Sequence, residues 1–84
     1  MDILVTKDNK GKTRVVEISY EWDDAQHGFV IRRKTYQYGG KVTVQPEIWI
    51  YKGKVKRTVS EQARLEYNSH LKKYTDKGYK LLPS

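Results

Sequence analysis

The chain has no cysteine. It can hold no disulfide framework and no thiolate metal site, and it needs no oxidising compartment to fold. Proline occurs only twice, and no internal repeat or low-complexity segment is present. No apolar run approaches the ~20 residues that a membrane span needs. The opening "MDILVTKDNK" lacks a basic region followed by a long apolar stretch, so it does not read as a secretory signal. The expected location is the cytoplasm.

What the chain does have is aromatic residues and positive charge. Hydrophobic residues make up 37% and charged residues 32%, a polar balance, but seven Tyr, two Trp and one Phe supply large pieces for a core. A folded chain of 84 residues makes one domain, spanning 1–84, with little left over for a deep substrate cleft. The net charge of +7 is unevenly placed. Residues 1–31 carry four Lys/Arg against six acids, whereas residues 32–84 carry thirteen against four. Such asymmetry points to a polyanion, most often nucleic acid, although a positive surface also serves solubility.

Periodicity gives the elements. "ILVT" (Ile3–Thr6) is a short apolar run followed by the turn residues of "KDNKGK". In "TRVVEISYEW" (Thr13–Trp22), Val16, Ile18, Tyr20 and Trp22 share one face, a half-buried strand. "FVIRRKTYQY" and "KVTVQPEIWIY" flank Gly39-Gly40, a pair suited to a two-residue hairpin turn with φ > 0 at both positions. That turn sets Tyr38 opposite Lys41. It collects Phe29, Ile31, Thr35, Val42, Val44, Ile48 and Ile50 on a core face, and Val30, Arg32, Lys34, Tyr36, Tyr38, Lys41 and Trp49 on the other. Arg33 opposite Pro46 breaks the pattern and predicts an edge position or a bulge.

Thr58-Val59-Ser60-Glu61 matches the capping box. A helix is expected over Val59–Lys77, with Ala63, Tyr67, Leu71 and Tyr74 as its apolar stripe, Gly78 as a left-handed stop and Tyr79 placed against Tyr74. The predicted fold is α+β: a four-stranded antiparallel sheet with the C-terminal helix packed on one face and the other face open.

Catalytic chemistry finds no support. His27 and His70 have no partners at ligand spacing, and Asp23-Asp24 reads as a solvated turn. The hairpin accounts for Gly39-Gly40, and no serine has a glycine-framed elbow. The expectation is a non-enzyme without metal, cofactor or small-molecule substrate. Binding is better served. Arg32, Lys34 and Lys41 interleave with Tyr36, Tyr38 and Trp49, where cations neutralise phosphates and rings stack on bases. The competing view is a plain cross-strand ion pair between Arg32 and Glu47. Lys52, Lys54, Lys56 and Arg57 form a second basic cluster. It precedes the helix start, where cations do nothing for the macrodipole but free amides favour phosphate.

Several short motifs resemble the WGR-like domains, above all the phage and bacterial modules attached to phage ATP-dependent DNA ligases. Those motifs are "KDNKGKTR" (Lys7–Arg14), a Gly-Lys hairpin at Gly40-Lys41, Glu61-Gln62-Ala63 opening the helix, and "DKGY" (Asp76–Tyr79) closing it. Poly(ADP-ribose) polymerases carry WGR domains too. The resemblance implies a small sheet with one helix and a role in contacting DNA, with protein contact alongside. It would place a phage-encoded chain in the host cytoplasm. The name-giving Trp-Gly-Arg tripeptide, which would fall near Tyr36–Gly40, is absent, and no ligase or polymerase residues are present. The expected function is therefore a nucleic-acid-binding module, DNA first. The alternative is a phage-type protein-interaction module that docks on or inhibits a host or phage enzyme, since an aromatic, Arg-bearing patch also suits a protein partner.

Overall fold

Asp8 makes the first turn. Its Oδ1 accepts the amides of Lys10 at 2.8 Å and Lys12 at 3.0 Å, so the chain of β1 (Asp2–Lys7) returns as β2 (Thr13–Asp23). A computed structural model describes residues 1–83. In it β2 pairs antiparallel with β1 on one side and with β3 (Gly28–Gln37) on the other. Beyond β3 lie β4 (Val42–Val44) and β5 (Ile48–Ile50), both paired with it. Helix α1 (Val59–Asp76) follows, and β6 (Lys80–Leu81) returns to pair with the free side of β1.

The antiparallel sheet and C-terminal helix are as expected, but the strand count is six rather than four. The extra strands have separate causes. One is β6, whose two residues lie opposite Leu4 and Val5. The other comes from a break in the last expected strand. Tyr36 faces Val42 and Lys34 faces Val44, whereas Ile31 faces Ile48 and Phe29 faces Ile50. Between these ladders β3 uses Arg32 and Arg33 while its partner uses Gln45, Pro46 and Glu47. This one-residue excess is the bulge that Pro46 predicted, on an edge strand.

The hairpin turn differs from expectation. Gly40 donates its amide to the Gln37 carbonyl at 2.7 Å, and only Gly39 has φ > 0, at 80°. Tyr38 and Gly39 are therefore the central residues of a four-residue turn that demands φ > 0 at its third position. Lys41 is left as an extra loop residue. The ladder near the turn slips by one, which moves side chains across the sheet. Val42 and Val44, expected in the core, are 55% and 67% exposed.

The core lies between the sheet and α1. Leu4, Val16, Ile18, Ile31 and Ile50 meet Ala63 and Tyr67, with Leu71 and Tyr74 packed alongside. The Tyr67 ring lies 4.5 Å from that of Tyr20. Its hydroxyl donates to the Asp2 carboxylate and sits 2.9 Å from the Ile18 carbonyl. The capping box forms as expected: the Glu61 amide donates to Thr58 Oγ1, and the Thr58 amide donates to Glu61. Lys77 is the C-cap, so the helix ends one residue before the expected limit. Gly78 follows at φ 97°, the Tyr79 amide reaches the Tyr74 carbonyl, and the two rings meet edge-on at 5.5 Å. His70 is half-buried, and burial, with Arg33 and Lys73 nearby, depresses its pKa. No helix among the described residues is long and apolar enough to cross a membrane.

Candidate nucleic-acid interface

Register decides where the expected binding residues fall. Arg32, Lys34 and Tyr36 on β3 and Trp49 on β5 lie on the sheet face away from α1, as expected. Tyr38 and Lys41 sit in the turn at one end of that face. Lys52, Lys54, Lys56 and Arg57 lie in the loop at the other end. From Tyr36 to Phe29, where β5 pairs, the chain advances seven residues, or about 23 Å. The ten residues thus form two end clusters with a middle between them.

That middle is charge-compensated, which corrects the expectation of a continuous cationic face. The β2–β3 ladder sets Glu17 opposite Lys34. Arg32 donates through Nε to Glu47 Oε2 at 2.9 Å and is also ion-paired with Glu21. The Glu47 hydrogen bond is the main reason its pKa rises further. Tyr36 donates its hydroxyl to Glu17 Oε2 at 2.6 Å, a bond that raises the phenol's pKa. Val30, between Glu21 and Trp49 on the flanking strands, is fully buried. Three carboxylates therefore face two cations here, and the Arg32–Glu47 ion pair is real.

The loop end is different. Lys52, Lys54, Lys56 and Arg57 are all exposed, and none is ion-paired among the described residues. Their loop is tightly built. A Cβ on Gly53 would lie 1.7 Å from the Arg57 carbonyl oxygen, so only glycine fits there. The Arg57 amide donates to the Lys54 carbonyl at 3.1 Å across a turn whose central residues, Val55 and Lys56, have φ of 51° and 63°. Such turns favour Asn-Gly, and a β-branched residue there is strained. Val55 is 86% exposed at the tip. The Lys54 amide is tied to Gln62 Oε1 on α1.

The helix start contributes less than expected. Its capping box already occupies the Glu61 amide, and the Glu61 carboxylate is held below its usual pKa by the Thr58 amide.

Beside Lys52 and Lys54 stand two rings. Trp49 and Tyr51 are parallel, 7° apart in plane with centroids at 6.0 Å, and Tyr51 is 53% exposed. Gly28 makes room for them, because a Cβ there would lie 2.7 Å from Tyr51 Cδ1. A groove of about 330 Å³ runs between the end of β5 and α1, lined by Trp49, Ile50, Tyr51, Lys52, Lys54 and Glu66. Sequence reasoning missed Tyr51 and Glu66. The "WIY" spacing of two carried a signal for Tyr51, since residues two apart on a strand share a face, but Glu66 gave none.

At the far end Tyr38 is 79% exposed beside Lys41. Among the described residues no group of three His, Cys, Asp or Glu could hold a metal ion. Comparison of the chain with protein-family models, curated proteins and solved structures found no match.

Proposed function

We propose that this protein is a small, non-enzymatic nucleic-acid-binding module of WGR-like type, acting on DNA through the Trp49–Tyr51 pair and the loop Lys52–Arg57. The observation that carries this reading is a groove where Lys52 and Lys54, not ion-paired among the described residues, line the same recess as two parallel, partly exposed rings, with Lys56 and Arg57 following in the same loop. Cations release counterions from phosphates, and ring faces stack on any base. The carboxylates of the mid-sheet repel a polyanion, so the strand is held at the loop end. A longer strand would also meet Tyr38 and Lys41, ten β3 residues from the Gly28 that Tyr51 covers, or about 33 Å away.

Salt dependence is the test. If the four loop cations each neutralise one phosphate, log affinity falls against log salt with a slope of about −3.6 on duplex and about −2.8 on single strands. Between 50 and 200 mM salt that is a loss of about 150-fold or about 50-fold respectively. Fluorescence anisotropy of a labelled oligonucleotide measures it, and an affinity indifferent to salt overturns the proposal.

A second reading, the protein-interaction module, rests on Val42 and Val44, which are exposed on the outermost strand. A strand edge with apolar side chains is a pairing site for another chain. A partner that binds after nuclease treatment, and is lost with Val44→Pro, which removes an outward-facing amide and spares the bonds to β3, supports it.

A further inference from the structure

Glu66 is out of place in a groove built for phosphate. It lines the same recess as Lys52 and Lys54, yet it is ion-paired with neither. Its Oε2 instead accepts from Gln62 Nε2 at 3.0 Å. Gln62 is only 4% exposed, and its Oε1 takes the Lys54 amide at 3.3 Å. One buried amide side chain thus fixes both the loop backbone and the carboxylate. Glu66 keeps unused acceptor capacity on both oxygens, since an ionised carboxylate offers about four lone-pair sites. With Gln62 as its one donor, a half-buried carboxylate beside a bound phosphate would oppose binding unless the ligand supplied further donors.

Resting on the nucleic-acid reading above, we propose that this groove takes one unpaired guanine nucleotide. Its base stacks against the Trp49–Tyr51 pair, its Watson–Crick edge is read by Glu66, and its phosphate lies on Lys52 and Lys54. Among the four bases guanine alone presents two adjacent donors on that edge, the ring N1–H and the 2-amino group, which match the two carboxylate oxygens. Adenine and cytosine offer one exocyclic amino group there, and thymine one ring N–H. The edge is free only when the base is unpaired, the state in which single-strand readers take bases onto aromatic rings. The recess, about 330 Å³, is at the small end of the roughly 300–1,000 Å³ typical of ligand pockets and suits one nucleotide rather than several.

The experiment compares three labelled single strands by anisotropy: all thymine, thymine with one central guanine, and the same strand with inosine, which keeps N1–H but lacks the 2-amino group. The guanine strand is expected to bind between about 5-fold and about 150-fold tighter than the all-thymine strand, the span of a bidentate base contact. Inosine should fall between them, and Glu66→Gln should abolish the guanine preference. The inosine comparison uses the unaltered protein, so it stands even if the variant folds poorly. Equal, salt-sensitive binding of all three strands overturns the guanine site while leaving the broader function intact, as does a preference that survives Glu66→Gln. No binding to any strand at low salt overturns both.

Discussion

Reversing Lys54 and Lys56 together to glutamate is expected to weaken oligonucleotide binding by about a hundredfold or more, since each charge-assisted contact contributes roughly 1.5–3 kcal/mol. The loss should be similar for every sequence, because phosphate contacts carry no base information, and the salt slope should fall by about two contacts' worth. Lys7→Glu with Lys10→Glu is the control. It changes net charge equally, but in and beside the β1–β2 turn. Lys7 and Lys10 are exposed and stand apart from the Trp49–Tyr51 rings. If the loop is the site, the control costs much less. Equal losses from both pairs would mean that only overall charge matters, and the loop would lose its role.

The second large effect is on stability. Tyr67→Ala is expected to destabilise the fold by about 3–5 kcal/mol, as for other large aromatic core truncations. Small domains hold only roughly 5–15 kcal/mol in all. Tyr67 is the contact through which α1 meets the centre of the sheet: its ring packs on Tyr20, and its hydroxyl binds Asp2 beside the Ile18 carbonyl. Tyr67→Phe keeps the ring and strands those acceptors, costing about 1–3 kcal/mol. Urea midpoints measure both variants. The hydroxyl also leaves a pH signature. Burial first, and Asp2 second, raise its pKa above the free value of 10.0. Above that pH the unfolded chain gives up the proton before the folded one does, so stability falls as pH rises. Tyr67→Phe should remove that part of the alkaline loss. A Phe variant as stable as the parent at every pH would place the weight of α1 docking elsewhere.

These two sites differ in how far the sequence foretold them. The helix was legible to within a residue because its signals are local: Thr58 and Glu61 close the capping box within one turn, and Gly78 with Tyr79 ends it the same way. The β2 alternation was equally plain. The hairpin was half legible. Pro46 announced the bulge, yet Gly39 and Gly40 look alike in sequence, and only one of them takes φ > 0. That choice shifted the ladder and carried Val42 and Val44 out of the core. The charge of the open face was illegible for a related reason. Glu17 and Glu21 belong to the acidic first part of the chain, and only the pairing of β2 with β3 brings them against Lys34 and Arg32. Non-local register therefore moved the candidate site from the whole face to its loop end. β6 went unseen because two residues carry no periodicity.

The sharpest check on that relocation is a residue-by-residue map. Titrating isotope-labelled protein with a short single strand and following backbone amide and indole NMR shifts reports which groups meet the ligand. The largest changes are expected at the Trp49 indole, Tyr51 and the amides of residues 52–57, with little movement at Glu21, Arg32 and Glu47. Shifts centred on that charge-paired middle, or confined to Tyr38 and Lys41 with the loop silent, would contradict the account.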